Sequence, residues 1–131
     1  MTMQVELVSP ERIVFSGEAD MVICRTTAGD IAFLTGHAPF LGLLDIHALT
    51  IRLSDGTDET VAVHGGMVEV SENRVIVLSD EAELASHIDV DQALRDKADA
   101  ERRLMETDDA DCEAQLRRAH VRLQVAGREP L

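Results

Sequence analysis

The sequence predicts a mainly β fold with a helical addition, an N-terminal β-sandwich followed by a C-terminal antiparallel helical hairpin. Three observations carry this expectation. Up to about Leu78 apolar residues alternate with polar ones in short runs rich in β-branched side chains. Turn signals interrupt those runs every few residues. Beyond residue 85 the apolar spacing changes to threes and fours, the period of a helix buried on one side. The chain therefore divides into residues 1–85 and 86–131.

In the first part, the period-two pairs are Val5 and Leu7, Ile13 and Phe15, Met21 and Ile23, Leu49 with Ile51 and Leu53, Val61 and Val63, Val68 and Val70, and Val75 and Val77. Each marks a half-buried strand. "SDGTDET" at 54–60 and "SENR" at 71–74 read as hairpin loops, Gly17 as a bend, and Gly65-Gly66 as a sharp turn or bulge. With three Phe and neither Trp nor Tyr, the core must be aliphatic.

In the second part, Val90, Ala93, Lys97, Ala100 and Leu104 form one helical seam, and Cys112, Leu116, Ala119, Leu123 and Ala126 form another. Lys97 interrupts the first and can snorkel. Between them, "ETDDAD" is an acidic turn in which Thr107 or Asp108 can cap the second helix. The seams are rich in alanine, so the hairpin buries little and is expected to dock weakly and move.

Charge narrows the function. With 12 basic and 25 acidic residues the net charge is -13, which repels phosphate backbones and argues against nucleic acid. Residues 86–131 hold eight of the basic residues, and between Gln115 and Arg128 four arginines (Arg117, Arg118, Arg122, Arg128) occur without an acid. That end suits an acidic partner. Cys24 and Cys112 read as buried thiols rather than a disulfide framework. No run of the chain reaches the roughly 18 apolar residues of a membrane span.

The stretch "AGDIAFLTGHAPFLGLL" at 28–44 resembles an active-site loop at first reading, but His37 has only Asp30 as a nearby ionisable group. Catalysis needs a convergent set of groups. Gly36 permits a positive φ and Pro39 forces Ala38 to be extended, so a shaped loop between strands is the better reading. The histidines at 37, 47, 64, 87 and 120 show no metal-ligand spacing, and neither a dinucleotide fingerprint nor a P-loop is present. No catalytic residue, metal or cofactor is expected.

"SPERIVFSGEADMV", "GDIAFLTGHAPFLGLL", "VHGGMVEVSENRVIVLSD" and a helical end "AQLRRAHVRLQVA" together resemble the epsilon subunit of F-type ATP synthases. The resemblance spans almost the whole chain. It implies a flattened β-sandwich of about ten strands, a place on the central stalk as a rotor subunit, and a peripheral position on the cytoplasmic face of a bacterial cell membrane. The implied partners are the gamma subunit, the polar loops of the proton-driven c-ring, and the catalytic alpha and beta subunits. Asp30, Gly36 and His37 match the positions that face the c-ring in the family. Arg117, Arg118, Arg122 and Arg128 match the helix that meets an acidic loop of beta and restrains ATP hydrolysis.

Some family members bind ATP through an I/L-D-x-x-R-A motif. Here Ile88, Asp89 and Ala93 match, but Gln92 replaces the arginine, so a charge-assisted phosphate contact is missing. Asp89 and Gln92 also read as a capping box, which explains both without a ligand. ATP as a regulatory ligand is disfavoured. A stand-alone ATP-sensing module remains the alternative function.

Overall fold

A computed structural model describes residues 1–129. The strands are β1 (Met3–Ser9), β2 (Arg12–Ala19), β3 (Met21–Thr26), β4 (Gly29–Leu34), β5 (Phe40–Arg52), β6 (Asp58–Ser71), β7 (Arg74–Leu78) and β8 (Ala82–Leu84). A single 3₁₀ turn (Ala85–His87) leads into α1 (Val90–Leu104) and α2 (Ala110–Val125).

The strands form one continuous sheet in the order β2-β1-β7-β6-β5-β3-β4, with β8 pairing β6. β5 and β6 pair along nearly their whole lengths, and the two ends of this long hairpin serve different neighbours. β7 pairs β6 from Met67 to Ser71, whereas β8 pairs its other half from Val61 to Val63. β3 continues the ladder from the far half of β5, at Thr50 to Arg52. The sheet thus folds over on itself into a sandwich. Its core takes Val5, Leu7, Phe33, Leu49, Ile51, Val61, Val68, Val75 and Val77 from both halves.

The eight strands replace the roughly ten of a flattened sandwich because β5 and β6, at 13 and 14 residues, run through without breaking. Gly65-Gly66 does not end a strand. Both glycines have positive φ, +81° and +119°, and they bend β6 between the Leu44–Gly66 and Ile46–His64 pairs. A Cβ on Gly66 would lie 2.1 Å from the Leu78 carbonyl oxygen, so only glycine fits. β2 passes through Gly17 without a bend in the ladder. The "SENR" turn is as expected, with Glu72 and Asn73 both at positive φ, the geometry of a two-residue hairpin.

Two strands depart from the alternation expected. In β2, Phe15 packs on the core opposite Leu7 as expected, but a register shift at Val14 buries that residue and leaves Ile13 66% exposed; β3 buries Val22, Cys24 and Thr26 rather than Met21 and Ile23. Burial raises the Cys24 thiol to about 11, which keeps it protonated.

α1 and α2 pack together as a hairpin. The seam buries Ala93, Ala100, Cys112, Ala119 and Leu123. Lys97 reaches out of it to Glu129 at 3.3 Å, and His120 Nδ1 meets the same carboxylate at 3.0 Å. Asp109 caps α2 by accepting from the Asp111 amide, one or two positions later than Thr107 or Asp108. The hairpin lies against the sandwich: Val121 and Val125 of α2 pack on Ala62, Ile46, Ala48 and Ile88. This second buried face of α2 escaped the single-seam reading.

Candidate functional site

Three surfaces stand out, and the first is apolar. Val8 pairs Ile13 across β1 and β2, and Leu78 across β1 and β7. Leu78 pairs Met67, and Met67 pairs Leu43. Residues directly opposite on paired strands share a face, so these five form one row across five strands. That face points away from the core. Ile13, Leu78, Met67 and Leu43 are 66, 50, 40 and 58% exposed, and Leu41, two residues along β5, is 65% exposed. Val8, Leu78, Met67 and Leu43 of the row line a depression of about 550 Å³ together with Pro10 and Asp80. A contiguous exposed apolar row on a chain of charge -13 is a docking surface by composition.

The second surface holds Asp30, Gly36 and His37, and the structure separates them. Asp30 lies near the β3–β4 turn, where Arg25 Nε donates to its Oδ1 at 2.7 Å. This bond, with the guanidinium charge, holds the Asp30 carboxyl below its ordinary range. His37 lies past the opposite end of β4. Its ring stands edge-on to Phe33 at 4.9 Å, and its Nδ1 lies 2.6 Å from the Ala38 carbonyl. Gly36, at φ +79°, donates its amide to Asn73 of the β6–β7 turn. An extended strand rises about 3.3 Å per residue, so Asp30 and His37 cannot share one small contact. His37 has a structural part, tying its loop to Phe33.

The third surface is the junction of hairpin and sandwich. Arg122 Nε donates to Glu83 Oε1 and its Nη2 to Glu81 Oε1, both at 2.6 Å, with Asp96 of α1 at 4.0 Å. His64 Nε2 lies 3.1 Å from the same Glu83 oxygen. Burial alone would raise the Glu83 carboxyl, but the bonds from His64 and Arg122 outweigh it and hold it low. Burial likewise opposes the Arg122 charge, while Glu83 and Glu81 keep it firmly protonated. Arg117 reaches Asp45 of β5 at 3.4 Å.

The four arginines are therefore not one free face. Arg122 is turned inward, with its side chain 16% exposed, and Arg117 is paired to the sandwich. Arg118 and Arg128 form no ion pair among the described residues, and Arg128 is exposed. The pairing of Arg122 with Glu83 spans 39 positions and has no local signal in the sequence.

Asp89, Gln92 and Ala93 do meet Arg122, around a cleft of about 230 Å³ also lined by Glu81, Glu83 and Asp96. Asp89 Oδ1 accepts from the Gln92 amide at 3.0 Å as N-cap. The Gln92 side chain does not return to Asp89 but donates to Asp96 and accepts from Arg95, so only half of the capping box forms. Four carboxylates against one guanidinium repel a polyphosphate.

Together these features define a class: an interaction subunit, a sandwich with an apolar docking row that carries a helical hairpin folded against it. The family comparison gives the particular member. Residues 2–85 match the beta-sandwich domain of the ATP synthase Delta/Epsilon chain, and residues 86–127 match its long alpha-helix domain. The chain belongs to this family, as an epsilon chain, a non-catalytic subunit of ATP synthase. It is 46% identical over 123 residues to the ATP synthase epsilon chain of Streptomyces griseus, with 93% of each chain covered. It is 40% identical over 130 residues to that of Moorella thermoacetica, covering 96% of this chain and 97% of the relative. In fold it is similar to a chain of the Euglena gracilis mitochondrial ATP synthase OSCP/F1/c-ring structure, at TM-score 0.72 and 19% identity, covering 97% of this chain and 78% of that one. It also resembles a chain of the Tetrahymena thermophila mitochondrial central stalk and c-ring structure, at TM-score 0.62 and 17% identity, covering 98% of each. No helix among the described residues is long and apolar enough to cross a membrane.

Proposed function

We propose that this chain is a rotor subunit of a bacterial proton-translocating F-type synthase, held peripherally on the cytoplasmic face of the membrane, which couples c-ring rotation to the catalytic head. The observation that carries the reading is the exposed apolar row from Ile13 to Leu43. It gives the gamma subunit an apolar surface whose shape the paired strands of the sandwich fix, as a stalk joint transmitting torque requires. Asp30, at the start of β4, and the His37 loop past its other end are separate contacts, and Asp30 is the better exposed for the polar loops of the c-ring.

The hairpin is the regulatory part. Folded down, it commits Arg122 and Arg117 to the sandwich; lifted, it frees all four arginines for an acidic loop of the catalytic beta subunit, where charge-assisted bonds restrain ATP hydrolysis. Deleting residues 88–131 from the assembled enzyme raises its ATPase rate on this reading. Replacing Arg118 and Arg122 with glutamate does so as well, more at low salt. An unchanged rate in both would remove the brake from the account. Nucleotide sensing by a stand-alone module is disfavoured by the acidic cleft; calorimetric titration with ATP should show no micromolar binding, and Gln92→Arg is the variant that would restore the missing contact.

A further inference from the structure

Where the hairpin meets the sandwich, three potential ligands converge that the stalk function does not use. One nitrogen of His64 and one oxygen each of Glu81 and Glu83 all lie within 4.8 Å of one another. The His64 side chain is 1% exposed, and its Nδ1 has no partner among the described residues. Its Nε2 is the nitrogen that faces the carboxylates, 3.1 Å from Glu83 Oε1.

We propose that His64, Glu81 and Glu83 form a site for a divalent cation of the zinc type, which the Arg122 guanidinium fills while the hairpin is docked and a metal ion fills when the hairpin lifts. An imidazole and two carboxylates are zinc ligands at about 2.0–2.2 Å, and three protein ligands leave a fourth position for water. Ligands on one tetrahedral ion stand about 3.4 Å apart, so the cluster must contract by about an ångström. Glu81, with its side chain 52% exposed, has the freedom to make that movement.

The sandwich holds the ligands without help from the hairpin. β8 pairs β6 through Ala62–Glu83 and Val63–Ala82, and the His64 amide donates to the Glu81 carbonyl at 3.1 Å. Ser79 Oγ braces the same corner through the carbonyls of Gly65 and Glu81. Lifting α2 leaves these contacts in place and takes the Arg122 guanidinium away from both carboxylates. That is the charge state a divalent ion compensates.

Arg122 and a metal draw on the same lone pairs of Glu83, so each excludes the other. By linkage, an ion that binds only the lifted form shifts the hairpin toward that form. The ring proton also reports the exchange. An ionised carboxylate only accepts, so the bond to Glu83 requires the proton on Nε2, whereas a metal at Nε2 requires it on Nδ1.

The test uses zinc alone as probe and the purified full chain, with affinity read by competition against a chromogenic chelator. Arg122→Met is expected to bind zinc at least tenfold more tightly than the wild type. Adding His64→Gln or Glu83→Gln to that variant is expected to cancel the gain, and Glu83→Gln carries the test where the buried His64 substitution disturbs folding. In the wild type, zinc accelerates amide exchange in α2 and moves the His64 ¹⁵N pattern from the Nε2–H to the Nδ1–H form. Equal affinity of Arg122→Met and wild type overturns the proposal, as does a gain that survives loss of both His64 and Glu83. Both results concern the isolated chain and leave the stalk function untouched.

Discussion

Replacing Leu78 tests the docking row at its centre. Leu78 lies between Val8 and Met67 in the row and is 50% exposed in the free chain. Covering a leucine completely is worth about 1.5–3 kcal/mol, and half of it is already sheltered, so a partner that seals the row gains about 1 kcal/mol from this side chain. Leu78→Ala should weaken binding of gamma about fivefold. Leu78→Asp adds the cost of desolvating a carboxylate with no partner, several kcal/mol, and should weaken it a hundredfold or more. The free sandwich should hardly notice the alanine, since exposed substitutions usually stay within about 0.5 kcal/mol. Calorimetric titration of each variant with purified gamma, beside thermal melts of the free chain, separates binding from folding. Ser54→Asp, exposed in the loop between β5 and β6, is the control and should bind as the wild type does. If Leu78→Asp binds gamma with undiminished affinity, the row is not the docking surface.

Three further outcomes are expected. Val121→Ala removes about two methyl groups from the contact of α2 with Ala62 and should weaken hairpin docking by about 1–2.5 kcal/mol; amide exchange in α2 should quicken while exchange in β5 and β6 stays slow. Glu83 titrates below its ordinary range because His64 and Arg122 outweigh its burial, so its contribution to docking is fully present above the unfolded glutamate value of about 4.3 and is lost as pH falls through the folded one. Following α2 amides by NMR down an acid titration should show that loss, and Glu83→Gln should remove it. Gly66→Ala puts a methyl 2.1 Å from the Leu78 carbonyl at φ +119°, and denaturant unfolding should show a loss of about 3 kcal/mol or more.

How far the sequence reveals this molecule depends on whether its two faces differ in chemistry. Where polar residues separate the apolar ones, as at Val68-Glu69-Val70, the inward parity is unambiguous and the structure agrees. In "MVIC" both parities are apolar, and in "RIVF" Ile13 and Val14 compete, so alternation cannot choose. The ambiguity at Ile13 has a physical source, since its outward face belongs to the docking row. Apolar residues on the outer face obscure the strand pattern and at the same time mark the surface. Gly65-Gly66 misleads for a different reason: glycine signals a backbone departure without saying whether the ladder resumes, and here β6 continues. In α2, Val121 and Val125 lie beside the alanine seam, and a helix with two buried faces does not reduce to one stripe. Nothing local could have joined Arg122 or His64 to Glu83. The first contact depends on how the hairpin folds back and the second on β8 pairing β6, and the sequence records only the separate side chains.

The most direct measurement of the central claim is co-purification. A tagged copy of this chain, recovered from gently solubilised membranes of the cells that make it, should bring down gamma with the catalytic alpha and beta subunits and the c-ring. A copy carrying Leu43→Asp and Leu78→Asp, folded by its thermal melt, should lose gamma and recover far less of the other subunits, which it then meets only through the smaller contacts at Asp30 and the hairpin arginines. Recovery of the tagged wild-type chain alone would contradict the account, and so would full recovery of the complex by the doubly substituted chain.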